Sequence, residues 1–515
     1  MTDQSLNSVA AEDQRPSQLP WSRRAATASL ALAVLIAAGD LLFFRHEPGI
    51  SLAVFFLALT AAVAALHRQA LRRPRAVVLL GVAVLAALPF AEFENLLWVP
   101  FALGAVSLLA LELGGHLGRF EDWLGPVLRF ALLSPVRGLT DGAAVLGAAG
   151  RQRLGGRLAR LALVWIVPVA CAAVFAFLFV AANPVLEDVL HAVRLAALLD
   201  WLDPLRVFIW CVVAAAAWPV LLPRLLPWRL GGAWQGPLQP QPESLVFGTA
   251  AIRNSLLVFN ALFAVQTAMD LLFLWGGVRL PDGLSYADYA HRGAYPLIAT
   301  AILAGAFVLL AMRRGGPGEK SPLIRTLVYL WVAQNVWLVV SSLLRLDLYV
   351  EAYGLTEMRI AAGVWMGLVA VGLVLIVGKI AAGRSNRWLV MANLAVLMLA
   401  LWGVAFIDVP ALIARFNVEH SREVAGSGPA VDTYYLAGQG AGAIPAFDQF
   451  LRTAKFAAPE TLASAAKMRT MLADRLRQRD AEAPPVWQSW TWRDTRVRAY
   501  LATQPFAPDA AAAKN

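Results

Sequence analysis

Charge and cysteine are what this chain has least of. Only 15% of its 515 residues are Asp, Glu, Lys or Arg, against 59% hydrophobic residues and a mean hydropathy of +0.61. Soluble domains carry about 25% charged and about 45–50% apolar residues, so the shortage excludes a chain that folds mainly in water. The two cysteines, Cys171 and Cys211, each lie inside an apolar run. They offer neither zinc spacing nor a disulfide framework and read as small packing residues. Walker A, Gly-x-Ser-x-Gly, His-Glu-x-x-His and paired metal-binding Asp motifs are all missing, which removes the basis for ATP-driven transport or zinc proteolysis. No motif identifies a reaction and none implies a cofactor or a metal, so the balance leans away from an enzyme.

What the chain does have is apolar length. A helix rising 1.5 Å per residue needs about 20 apolar residues to cross the hydrocarbon layer. Such runs fall at 26–44, 50–66, 76–90, 96–113, 160–182, 205–226, 255–277, 296–313, 326–343, 360–380 and 388–414. Nothing alternates like a barrel strand, and lipid-exposed backbone must satisfy its own hydrogen bonds. The predicted fold is all-α: a polytopic transmembrane helical bundle of about eleven spans with a small helical C-terminal extramembrane segment. The organisation expected is a polar N-terminal tail over 1–25, a membrane domain over 26–414 and an extramembrane segment over 415–515. Amphipathic helices on the membrane interface are expected near 118–132, where Phe120, Trp123, Leu124, Val127, Leu128 and Ala131 share a face, and near 185–201.

A net charge of +10 invites a nucleic-acid reading, but the arginines sit in short loops between apolar runs. Alternate loops carry Arg15/Arg23/Arg24, Arg68/Arg72/Arg73/Arg75, seven arginines from Arg119 to Arg160, Arg224/Arg229/Arg253, Arg313/Arg314/Lys320/Arg325 and Lys379/Arg384/Arg387. The opposite loops hold Arg45, Arg194/Arg206, Arg279/Arg292 and Arg345/Arg359, giving 24 basic residues against 7. Cytoplasmic loops hold the excess of Lys and Arg, which predicts a bacterial inner-membrane protein with a cytoplasmic N-terminus. An odd span count puts the C-terminal segment outside, although 13 basic residues lie there. Membrane lipid is the expected partner, with a protein partner possible through the C-terminal segment, and no nucleic acid.

Charges at membrane depth mark the candidate residues. A charge at a helix centre costs at least about 2.5–3.5 kcal/mol on insertion scales. Asp270 is the sharpest case, Asp40 is shallower, and Gln334 and Asn335 lie in mid-span. Asp270 fits a polar path or substrate cavity and equally fits hydrogen bonding between helices, whereas Gln334 and Asn335 read first as interhelical hydrogen bonds. The first span ends Gly39-Asp40-Leu41-Leu42-Phe43-Phe44 and the seventh Met269-Asp270-Leu271-Leu272-Phe273-Leu274. A parallel repeat of six spans would produce that match, and so would chance in Leu/Phe-rich sequence. The outer loops 285–296 and 345–359 concentrate polar side chains. Asp270, His291, Arg292, Arg345, Asp347, Glu351 and Arg359 form the candidate cluster, suited to a phosphate or glycolipid headgroup or to acid/base work. Salt bridges between loops account for the same residues.

After 415, periodic stretches at 444–457, 459–479 and 486–502 predict three short helices broken by Pro484-Pro485, with Trp487, Trp490 and Trp492 on the last. Tryptophan favours membrane interfaces, but a bundle packing its own tryptophans has the same sequence.

The segments Ser285 through Tyr295-Pro296, Leu344 through Arg359, Phe416-Asn417-Val418 and Asp432 through Ala446, with Tyr435-Leu436 and Ile444-Pro445-Ala446 as the clearest points, carry a resemblance. Over roughly 30–460 the chain resembles the bacterial membrane family called domain of unknown function 4173, a relative of 4153. The resemblance implies a polytopic membrane protein and no activity, so no catalytic residue is carried over. Three readings stay open: a non-ATP transporter or lipid-handling protein, a membrane-embedded transferase acting on a lipid-linked substrate at the outer face, and a non-catalytic scaffold or sensor.

Overall fold

The computed structural model describes residues 21–93, 95–149, 203–225, 249–275, 307 and 321–503. Among these every regular element is helical. The chain divides into two compact units.

The first unit holds α1 (Trp21–Phe43), α2 (Ile50–Leu66), α3 (Pro74–Ala87), α4 (Val99–Leu113), most of α5 (Leu124–Ala149) and α6 (Pro204–Leu221). Lipid is as apolar as leucine, so membrane helices associate through close packing and polar contacts. Gly39 provides one such approach, because a Cβ there would lie 2.8 Å from Val213 Cγ2 and push α1 off α6. Both ends of α6 are fastened by polar groups. Asp203 caps its start, accepting from Leu205 N at 2.9 Å, with Pro204 in the first turn. At its other end basic side chains meet the last helical carbonyls and those of the residues just beyond them. His67 Nε2 lies 3.1 Å from Leu221 O and His116 Nε2 lies 3.1 Å from Pro223 O. Arg137 donates to Leu222 O at 2.8 Å and to Arg224 O at 3.2 Å.

The second unit holds α7 (Thr249–Asp270), α8 (Pro322–Tyr353), α9 (Glu357–Ala381), α10 (Asn386–Val404) and a tail of α11 (Val409–Glu419), α12 (Thr433–Gly438), α13 (Ile444–Thr453), α14 (Pro459–Glu482) and α15 (Trp492–Thr503). Ser321, Thr356 and Ser385 cap α8, α9 and α10 through their side chains. Pro322 occupies the first turn of α8, where its missing N–H is harmless. Trp331 of α8 packs against Phe259 and Phe263 of α7 with ring centroids 5.5 and 5.9 Å apart. The tail has its own core of Ala414, Val418, Leu436, Ile444, Phe447, Phe450, Met468, Leu472, Leu476 and Val497.

Seven of the described helical segments are long and apolar enough to cross a membrane: Ala25–Phe43, Pro74–Glu92, Leu96–Leu113, Pro204–Leu221, Pro322–Tyr353, Glu357–Ala381 and Asn386–Val404. Ile50–Leu66 is apolar but shorter. The expected spans 160–182 and 296–313 (Phe307 apart) lie outside the described residues, as do the amphipathic stretch 185–201 and the loop 285–296 that holds His291 and Arg292. The others fall on helices where they are described; the span expected over 255–277 lies on α7, which is not among the seven, and three further stretches have altered limits. The span expected over 326–343 is one helix from Pro322 to Tyr353, because nothing breaks it before Gly354. The span expected over 388–414 stops at Val404; Asp408 then accepts from Ala411 N at 3.2 Å and starts α11, so the tail begins at Val409. The amphipathic helix expected over 118–132 is instead a short turn, Phe120–Asp122, followed by the longer α5. The first two tail helices fall where their periodicity placed them, at Ile444–Thr453 and Pro459–Glu482. The third, expected over 486–502, begins only at Trp492, with Trp487 in a separate turn, Trp487–Ser489, and Trp490 between the two.

Candidate functional site

Seven positions of α8 recur at alternating spacings of four and three: Ile324, Val328, Trp331, Asn335, Leu338, Ser342 and Arg345. All are buried. That spacing holds one face of a helix against a neighbour, here α7, whose Ile252, Leu256, Asn260 and Asp270 are buried as well. The seam turns polar as it rises. Asn260 Nδ2 donates to Leu327 O at 3.1 Å, and Gln334 Nε2 donates to Asn260 O at 3.2 Å. Trp275 Nε1 donates to the buried Ser341 Oγ at 3.4 Å.

The seam ends in an ion pair. The Arg345 guanidinium donates to Asp270 Oδ1, which also accepts from Gln266 Nε2 at 2.9 Å. Asp270 is 0% exposed and Arg345 6%. Immediately after Asp270 the helix loosens into a π-helical turn, Leu271–Trp275, a distortion that recurs at functional sites. Desolvating two charges costs several kcal/mol per ion, which only close pairing and further hydrogen bonds offset. The pair is therefore costly unless both partners stay together.

The remaining candidates separate from it. Asp347 and Glu351 sit about 200° and 240° round the helix from Arg345, on its exposed side. Arg359 is engaged elsewhere: it donates to Tyr353 O at 3.0 Å and to Gly354 O, and its guanidinium lies 4.4 Å from the Tyr349 ring centroid. It closes the α8–α9 turn. Gln334 and Asn335 spend their amide donors on carbonyls of Asn260 and Trp331.

Asp40, the counterpart of Asp270 in the matching span end, also holds an arginine. Arg206 meets it through Nε at 2.6 Å and Nη2 at 2.7 Å, and Trp210 Nε1 donates to it at 3.0 Å. Arg206 opens α6, the sixth expected span, whereas Arg345 closes the ninth, so the two pairs do not join corresponding spans. Arg206 is a partner the sequence reading did not find. Its signal is an arginine in the first turn of an apolar helix, with Trp210 one turn on.

Among the described residues, no three His, Cys, Asp or Glu side chains gather as metal ligands. Seven described helices of spanning length and apolar composition define a multi-pass helical membrane protein. Within that class the chain belongs to the family described as Domain of unknown function (DUF4153), which it matches over residues 26–450. The match ends at the Phe450 that anchors the tail core, while the same core continues through Met468 to Val497. No curated protein and no solved structure matches the chain.

Proposed function

We propose that this protein is a transporter or lipid-handling protein of the bacterial cytoplasmic membrane that works without ATP, with the Asp270–Arg345 pair as the gate of its path. The observation that supports the reading is an ion pair at the head of a polar seam between α7 and α8. The water-accessible cavity that the reading expects at Asp270 is absent among the described residues, since the carboxylate is 0% exposed, and that counts against it in this conformation. Intramembrane charges face substrate or ion pathways more often than lipid, and a helix that merely needed an anchor has cheaper amide contacts lower in the same seam. In this conformation the carboxylate is sealed, so transport requires a second conformation in which the pair parts and water reaches it. The transferase reading draws less support, because Asp347 and Glu351 face away from the pair. The loop arginines support a cytoplasmic N-terminus, and with it a tail on the outer side.

The test is thiol accessibility. In a background with Cys171 and Cys211 replaced by Ala, Ser341→Cys and Ser342→Cys are treated with a membrane-impermeant methanethiosulfonate in right-side-out and inverted vesicles, with the exposed Asp347→Cys as the reactive reference. Modification at 341 or 342 from either side is the expected result. Inertness from both sides, with 347 reacting, makes the seam a static clamp and ends the transporter reading.

A further inference from the structure

α10 has 19 residues, about 28 Å of helix, close to the thickness of the hydrocarbon layer. Its end at Val404 therefore lies near the boundary with the headgroups. The two residues beyond Ala405 remain large, apolar and open: Phe406 is 39% and Ile407 46% exposed, and Phe406 packs edge-on to Trp402 at 4.9 Å. An aqueous turn has no use for such a pair.

The next residue, Asp408, ties the last tail helix to this level. Its Oδ2 lies 3.3 Å from Arg493 Nε and 3.7 Å from Arg496 Nη2, and Arg493 Nη2 donates to Ile407 O at 3.4 Å. Trp492 immediately precedes Arg493. Its side chain is 52% exposed, with the Trp490 ring edge-on at 6.0 Å. A large amphipathic ring left half open beside the end of a membrane span suits the headgroup zone, where an apolar body and a polar N–H are both satisfied.

We propose that Trp492, with Phe406 and Ile407, is a membrane anchor of the tail, seated in the phospholipid headgroup layer of the leaflet on that side. The occupant is lipid and not a protein, because the patch continues directly from a membrane span. Arg493 and Arg496 are committed to Asp408, so the anchor works through the ring, and neutral phospholipid suffices. This inference rests on the membrane reading alone and survives failure of the transporter reading.

The full chain without its native cysteines, carrying Trp492→Cys with a nitroxide label, is placed in nanodiscs of neutral lipid and in nanodiscs one-third anionic. Collision with oxygen and with a water-soluble nickel chelate is measured by power saturation, with Tyr434→Cys on the tail's open surface as the aqueous reference. Oxygen exceeding the nickel chelate severalfold at 492, alike in both lipids and reversed at 434, is the expected result. Nickel access at 492 equal to that at 434 overturns the proposal, and so does exclusion of both reagents, which would mean a protein covers the patch. Dependence on anionic lipid would transfer the binding from the ring to the arginines. Should the cysteine variant not fold, 5-fluorotryptophan protein, with its resonance assigned through Trp492→Phe, must show broadening by headgroup-labelled spin lipid; an unbroadened 492 signal is equally fatal.

Discussion

Asn417 of the tail treats Leu355 as a neighbouring strand would: its Nδ2 donates to Leu355 O at 2.9 Å and its Oδ1 accepts from Leu355 N. Leu355 is the middle of the three residues joining α8 to α9, so one tail side chain satisfies both backbone groups of the turn. Gly354, at φ +78°, permits it, because a Cβ there would lie 2.9 Å from Asn417 Oδ1. Each such hydrogen bond contributes about 0.5–1.5 kcal/mol, and an orphaned buried group costs about 1–3 kcal/mol. Asn417→Ala is expected to lower the unfolding free energy by about 2 kcal/mol. Gly354→Ala should do at least as much harm, through both the contact and the left-handed backbone. Hydrogen exchange at 353–359 checks this: faster exchange there in either variant is the expected outcome, and unchanged rates would remove the clamp.

Inside the tail, Arg469 and Asp448 form a second buried pair, Nε to Oδ1 at 2.9 Å and Nη2 to Oδ2 at 3.2 Å, and Tyr500 OH donates to Asp448 Oδ2 at 3.1 Å. Burial and the adjacent Asp448 carboxylate both raise the Tyr500 hydroxyl above its ordinary pKa, so it stays a donor at neutral pH. Removing one partner of such a pair costs about 3–5 kcal/mol, because the other charge is left stranded. Asp448→Ala should thus unfold the tail, while Tyr500→Phe should cost about 1 kcal/mol. Limited proteolysis between 454 and 491 separates the two outcomes.

The spans were legible because hydrocarbon imposes a length and a composition that few soluble segments share. Arg345 was legible only as a residue type. In Arg345-Leu346-Asp347-Leu348-Tyr349-Val350-Glu351 the charges alternate with apolar residues, which looks like a loop. At about 100° per residue the same string places Arg345 on one side and Asp347 with Glu351 on the other. The seam from Ile324 through Trp331, Asn335 and Ser342 to Arg345 was in the sequence, and following its period past residue 343 would have carried Arg345 into the bundle. Which acid it meets was not, because α7 and α8 are far apart in the chain and no local rule sets their register. The same holds for Arg206 on Asp40, and for the three basic side chains that cap α6.

The last two tail helices carry an acid-sensitive contact. Arg498 grips Asp480 through Nε and Nη2, both at 3.0 Å, and these hydrogen bonds hold the carboxyl below its ordinary pKa. A depressed folded-state pKa means stabilisation that is complete above the unfolded value, near 3.9, and is lost as pH falls through the folded one. Glu419, gripped by Arg415 Nε at 2.8 Å, behaves likewise. Asp480→Asn is therefore expected to melt below the parent protein at pH 7. The gap should close as the pH is taken below about 4; a gap that persists there would mean that shape, not charge, carries the contact.

The Asp270–Arg345 pair separates a gate from a clamp by how its variants combine. Either role makes a single neutralisation harmful: Asp270→Leu or Arg345→Leu strands a charge among apolar helices, a loss of about 3–5 kcal/mol, visible as a lower melting temperature in detergent. The double variant Asp270→Leu with Arg345→Leu strands nothing, and replacing a buried pair by apolar groups is often neutral or stabilising. Its melting temperature should therefore return to that of the parent or exceed it. For a clamp, that recovery would be complete, and every other property would recover with it. For a gate, the restored double variant should be locked, with the seam positions 341 and 342 closed to the thiol reagent that reaches them in the parent protein. A stable double variant whose seam still opens would show that the charges are not what the opening needs.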